Sequence, residues 1–251
     1  VPPGLADALA LPGLWACAAA ILGAGVVYGF AGFGAALIAL PILTRYLEPE
    51  AAVAAFALAG LGSALTLLPR VVPQADLPAT GWMLLAAALT APPGLWVLTH
   101  AEPTPLRWAI CGLVALTLVA VMSGWRLRLG SGARVRMSLG AAAGLVGGMT
   151  GLVGPIVILT NLASGDGAAR MRANLATFLT STNFVFLPIL GLLGALTPPV
   201  LWLGALFLPL YVLGTELGHR LFRPGRERLY RGLAYAAVAL AVLLGLPLGG
   251  G

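Results

Sequence analysis

Two short glycine-rich runs interrupt apolar sequence in this chain, Gly29-Phe-Ala-Gly-Phe-Gly34 and Gly148-Met-Thr-Gly-Leu-Val-Gly154. Their chemistry is that of the main chain. Where a helix stops and restarts, as expected at Ala35 and Pro155, its first N–H groups lack intrahelical partners and carry the positive end of the helix dipole. Two such ends brought together would hold an anion with backbone alone, and glycine lets an oxyanion come close. The candidates at the breaks are Gly32, Phe33, Gly34, Thr150, Gly151 and Gly154. Gly25, Gly29, Gly144 and Gly148 fit close helix packing instead. Tyr28, Phe30 and Phe33 would line or gate a path, or simply pack.

Other polar candidates lie in the helix that follows each break. Thr180-Ser181-Thr182-Asn183 sits mid-block, and Ser63 is the counterpart of Thr182. Successive helical residues step by ~100°, so the four cannot all face one site. Some bond back to the preceding turn. Asn183 is hardest to place that way, because its amide needs several partners. Ser63, Ser181 and Asn183 are therefore substrate candidates, and Asn161 is a ligand or a cap. Glu216 is a carboxylate inside an apolar stretch, which suggests proton coupling. Arg220 at i+4 makes an ion pair the preferred reading. His100 and His219 lie near loops and share no site. No metal cluster, nucleophile triad or phosphate loop is visible, so neither a cofactor nor an enzyme activity is expected.

The elements that position these residues come in two copies. Gly25, Gly29 and Gly32 fall on Gly144, Gly148 and Gly151 at a constant offset of 119 positions. The register continues without a gap to Leu68 and Pro69, which fall on Leu187 and Pro188. The chain has 251 residues, is 60% hydrophobic and 9% charged, and has a mean hydropathy of +0.99. Uncharged windows at 79–99, 108–125, 173–197, 199–215 and 232–251 are each about long enough to cross a hydrocarbon core of ~30 Å. β-Barrel alternation is absent. The net charge of +6 comes from arginines in short loops, which signals topology and not nucleic-acid binding. Residues 1–10 lack the basic segment that opens a signal peptide. Cys17 and Cys111 fit buried thiols.

Four apolar blocks per half emerge: 11–47, 50–69, 79–99 and 104–124, then 137–164, 169–196, 199–218 and 229–249. As one helix, 11–47 would be ~55 Å long, beyond any bilayer. If each first block crosses once, the arginines split 9 to 5 between the two sides. If it folds back on itself, they split 12 to 2, with only Arg45 and Arg107 on the poorer side. The positive-inside bias selects the second arrangement, in which the halves are inverted. The expected fold is an all-α polytopic membrane protein of two inverted repeats, 1–125 and 126–251, forming one transport domain. Each repeat is a Gly-broken helical hairpin plus three transmembrane helices, eight to ten membrane segments in all. Both termini would be extracytoplasmic and the loop 125–136 cytoplasmic. Trp15, Trp82, Trp108, Trp125 and Trp202 fit interfacial anchors, and Pro92-Pro93 and Pro209 fit kinks that serve as hinges.

Gly29-Phe-Ala-Gly-Phe-Gly-Ala-Ala-Leu-Ile-Ala-Leu-Pro41 resembles the first signature of the TauE/SafE sulfite-exporter-like permeases. Gly144-Leu-Val-Gly-Gly-Met-Thr-Gly-Leu-Val-Gly-Pro155, followed by Arg170-Met-Arg-Ala-Asn174, resembles its partner. The chain departs from the usual pattern at Ala35-Ala36, where a further glycine or a proline is common. The resemblance implies a secondary carrier of a small sulfur oxyanion or organosulfonate in the inner membrane. Its expected partners are that small sulfur-containing anion and the lipid bilayer; a homodimer is compatible with such a chain, and nucleic acid is not expected. The rival readings are an uptake permease for thiosulfate or another small solute, and a non-transporting membrane scaffold or intramembrane enzyme.

Overall fold

The first long block does divide where glycine interrupts it. In the computed structural model, which describes residues 3–123, 132–161, 168–221 and 227–246, every regular element is a helix. A short α1 (Leu5–Leu9) precedes α2 (Leu14–Ala31) and α3 (Ala35–Tyr46). The second block is α4 (Pro49–Gly60), α5 (Gly62–Thr66) and α6 (Leu68–Val71), followed by a 3-10 turn at Val72–Gln74. Then come α7 (Leu77–His100) and α8 (Pro103–Met122). The second half repeats the order with α9 (Ala133–Thr150), α10 (Gly154–Asn161), α11 (Ala168–Leu192), α12 (Pro198–Leu221) and α13 (Glu227–Gly245). The limits of α9 are those of α2 displaced by the repeat offset, residue for residue.

Six stretches among the described residues are long and apolar enough to cross a membrane: Leu14–Ala31, Pro49–Thr66, Leu77–His100, Pro103–Met122, Ala169–Leu192 and Pro198–Leu221. The chain is a multi-pass helical membrane protein. Leu65, Leu89, Leu116, Leu192 and Leu243 are exposed on the outside, as side chains solvated by lipid would be. Trp15, Trp82 and Trp108 are exposed, and the Trp202 indole donates to the Pro3 carbonyl at 3.2 Å. Cys17 and Cys111 are buried free thiols. Helices α7 and α12 run through Pro92, Pro93 and Pro209 as single elements.

The expected single helix over 50–69 is instead three pieces. Gly60 and Gly62 flank the first interruption at Leu61, and Pro69 follows the second at Leu67. Ser63 and Thr66 donate their hydroxyls to the Gly60 and Gly62 carbonyls at 2.6 and 3.0 Å, competing with the regular ladder.

The halves interlock. Helix α2 of the first packs along α12 of the second, and α9 of the second along α7 of the first. Glycine makes both contacts. A methyl on Gly25 would lie 2.7 Å from the Tyr211 carbonyl oxygen, and one on Gly148 would lie 2.9 Å from that of Ala91. Small residues let backbones approach this closely, and in lipid such van der Waals contact drives association.

Among the described residues several charged side chains pair. Glu216 pairs with Arg70 at 2.9 Å and Arg220 at 2.7 Å. Asp76 pairs with Arg136 at 3.6 Å, and its N–H donates to the Asn174 Oδ1 at 2.7 Å. Arg172 lies 3.4 Å from His219 Nδ1. Separately, Arg107 pairs with Glu48 at 3.4 Å, while Arg45 donates to the Leu244 carbonyl at 2.6 Å. Arg126, Arg128, Arg223, Arg226 and Trp125 lie outside the described residues, as do the side chains of Arg228, Arg231 and Asn161.

Candidate functional site

Both breaks are built by glycines in the left-handed region. Gly32 (φ +76°) closes α2, its N–H donating to the Tyr28 carbonyl at 2.8 Å. Gly34 (φ +92°) then precedes α3, and no side chain caps the new helix. Gly151 (φ +74°) closes α9 in the same way, its N–H donating to Gly147 at 2.7 Å, and α10 starts at Gly154. Only glycine takes these angles without a Cβ penalty.

A cavity of about 650 Å3, its open mouth included, lies between the two breaks. Its wall contains Gly34, Ala35 and Ala36 from the first restart and Val153, Gly154 and Pro155 from the second. Gly60 and Ser63 come from α4 and α5, and Leu179, Thr182 and Asn183 from α11. Five of these residues, Gly34, Ala35, Ala36, Gly60 and Ser63, have their partners at the repeat offset on the same wall: Val153, Gly154, Pro155, Leu179 and Thr182. The cavity is therefore shared by equivalent parts of both halves. Aromatic side chains complete it: Tyr28, Phe56, Phe186 and Tyr211, with the Phe56 and Tyr211 rings edge to face at 6.1 Å.

A buried hydroxyl chain braces one side. The Tyr28 hydroxyl donates to the Ala176 carbonyl at 3.1 Å and lies 2.9 Å from Thr180 Oγ1, which lies 3.0 Å from Ser63 Oγ. These contacts join α2 and α5 of the first half to α11 of the second. The Asn183 side chain packs on Gly60, where a methyl would lie 2.7 Å from its Nδ2. Among the described residues none forms a hydrogen bond with that amide.

Of the residues singled out in the sequence, Gly34, Ser63, Gly151, Gly154 and Asn183 line the cavity together. Four do not. Gly32 lies against Arg172, and half-buried Phe33 packs on the core. Thr150 is buried and bonds locally, donating to the Val146 carbonyl at 2.7 Å and accepting from the Leu152 N–H at 3.2 Å. Ser181 is half-buried away from the cavity wall. Glu216 sits in its arginine pairs at the end of α12. Among the wall residues the sequence did not single out are Thr182, Tyr211, Phe56 and Phe186. For Thr182 the signal was present, since it is the repeat counterpart of Ser63.

The fold and site define a multi-pass helical membrane protein with a cavity shared by two repeated halves. Over residues 17–245 the chain matches the sulfite exporter TauE/SafE family, and it belongs to that family. No match was found among curated proteins or solved structures. Members of the family are membrane transporters of sulfur-related anions, not enzymes.

Proposed function

We propose that the chain is a secondary transporter that moves a small sulfur oxyanion or organosulfonate across the cytoplasmic membrane by alternating access. One observation carries the reading: five repeat-related residue pairs, including both helix restarts, line a single cavity. A site made by equivalent segments of two halves is what rocking one half against the other can expose to either face. In this reading the helix restarts offer an anion the positive ends of their dipoles, and Asn183 adds an amide.

The contacts of Glu216 with Arg70 and Arg220 support inverted repeats. Single crossings of each first block would put those two arginines on opposite faces. With the arginine-rich face cytoplasmic, both termini are extracytoplasmic. Purified protein in liposomes tests the function, comparing flux of sulfite, sulfoacetate, thiosulfate and chloride. Saturable flux of a sulfur anion, with chloride excluded, is the expected result. Absence of saturable flux for every anion removes the reading.

A further inference from the structure

We infer that Tyr28 is the latch of the transport cycle: it holds α2 on α11 while the cavity is empty and gives up that bond when an anion enters. This rests on the transporter reading above and adds the residue that couples binding to opening.

Tyr28 lies on the cavity wall and is buried. Its hydroxyl donates to the Ala176 carbonyl at 3.1 Å, across the boundary between the halves. Thr180 Oγ1, 2.9 Å away, continues the chain to Ser63 Oγ at 3.0 Å, and Ser63 is on the wall again. One side chain thus belongs both to the cavity and to the seam between the halves.

Little else holds that seam. Helix α2 packs along α12, where Gly25 and Gly29 meet the Tyr211 and Thr215 carbonyls, but it does not run along α11. It meets α11 near its own end. There Tyr28 bonds Ala176, the Arg172 guanidinium donates to the Gly29 carbonyl, and Gly32 lies against the Arg172 side chain. Close helix packing resists separation along its whole length. A seam carried by a few side-chain hydrogen bonds parts when those bonds are exchanged.

The exchange leaves no acceptor stranded. Ala176 lies inside α11, so its carbonyl keeps the helical N–H of residue 180 when the phenol turns away. A phenol has one proton, and an anion accepts it more strongly than a neutral carbonyl does. An anion that takes this proton binds the unlatched state better. Such a difference in affinity is what shifts a two-state equilibrium.

The second break has no counterpart of the latch. At the repeat offset Tyr28 becomes Gly147, Ala176 becomes Ala57 and Thr180 becomes Leu61. Leu40 and Val53 close that side at Gly151, and an anion does not compete for aliphatic contacts. Binding therefore frees the first break and leaves the second shut. The freed break lies beside the end of α12, where a methyl on Gly29 would lie 2.9 Å from the His219 nitrogen of the main chain.

Net efflux and exchange from liposomes separate the cases. A latched empty carrier returns slowly, so net efflux lags until anion on the far side releases the latch. Efflux of radiolabelled sulfite, sulfoacetate and thiosulfate is measured into buffer without anion and into buffer saturated with the same unlabelled anion, the membrane potential being clamped. In the parent, exchange should exceed net efflux by about fivefold, the factor one neutral hydrogen bond is worth. Tyr28→Phe keeps the ring beside Tyr211, with centroids 6.0 Å apart, and removes only the hydroxyl. Its net efflux should rise to the exchange rate, bringing the ratio to about one, while KM increases. Thr180→Val leaves the bond from Tyr28 to Ala176 in place, and its ratio should stay near that of the parent. A parent ratio of about one overturns the latch whether or not any variant folds. A Tyr28→Phe ratio equal to that of the parent overturns it too, and transport stands in both cases. Absence of saturable flux for all three anions overturns the transporter reading, and this inference with it.

Discussion

The two helix breaks share a backbone but face different side chains. Gly32 and Gly151 are repeat counterparts with nearly equal φ angles, +76° and +74°. A methyl on Gly32 would lie 2.7 Å from Arg172 Cγ, and one on Gly151 would lie 2.7 Å from Leu40 Cδ1 and Val53 Cγ2. Val53 and Arg172 are themselves repeat counterparts. The first break is thus closed by a guanidinium that donates to the Gly29 carbonyl, and the second by aliphatic packing. The helix ends nearby differ in the same sense. His100 and His219 are also counterparts, yet His100 stacks on Trp96 at 4.6 Å while His219 lies beside Arg172. Duplication preserved the backbone of the site and left its flanks free to diverge. One flank is ionic, where a cation suits the negative end of α2, and the other is apolar.

The largest effect should come from filling either break. Gly32→Leu and Gly151→Leu each force a side chain into a left-handed conformation, at a cost of roughly 1–2 kcal/mol, and into occupied space. Both should abolish sulfur-anion flux in liposomes while membrane insertion, read by extraction and size exclusion, persists. Normal flux in either variant would make its glycine a packing residue only.

Truncating each flank is the sharper test. Arg172→Ala removes a charged donor from a carbonyl, an interaction of about 1.5–3 kcal/mol, so flux should fall about tenfold or more. Val53→Ala deletes buried methyl groups and should lower flux no more than about threefold, with the loss mainly in thermal stability. Equal effects of the two variants would show that the flanks are equivalent in spite of their chemistry.

These contrasts also mark what the sequence could disclose. The start of α3 at Ala35, the paired restarts, and the packing role of Gly25 and Gly148 were all readable, because glycine acts on its own backbone and the repeat supplied a second copy. Interruption of the 50–69 block at Leu61 was less visible, since it depends on Ser63 and Thr66 bonding to carbonyls that a regular helix would also use. In the sequence Arg172 belongs to the Arg170–Asn174 segment and counts toward topology as one more arginine in a short loop. Its contact with Gly29 joins residues 143 apart, and that of Tyr28 with Thr180 joins residues 152 apart. No periodicity encodes contacts between halves at such separation. The repeat offset pairs equivalent positions, and Tyr28 and Thr180 are not equivalent.

Glu216 is where the ionic flank should matter least, and where the comparison can be broken most cheaply. Its counterpart in the first half is Val97, so any role in coupling would belong to one half alone. The carboxylate meets Arg70 from the first half and Arg220 from its own helix, and both arginine side chains are substantially exposed. Exposed pairs contribute little, because water screens them. Glu216→Gln keeps the shape and one hydrogen bond, so flux should stay within about twofold of the parent. Its response to an imposed proton gradient should be unchanged. Should the substitution uncouple flux from the gradient while substrate binding persists, Glu216 is the coupling acid. The ionic flank would then be part of the transport cycle, and the two breaks would differ in function as well as in chemistry.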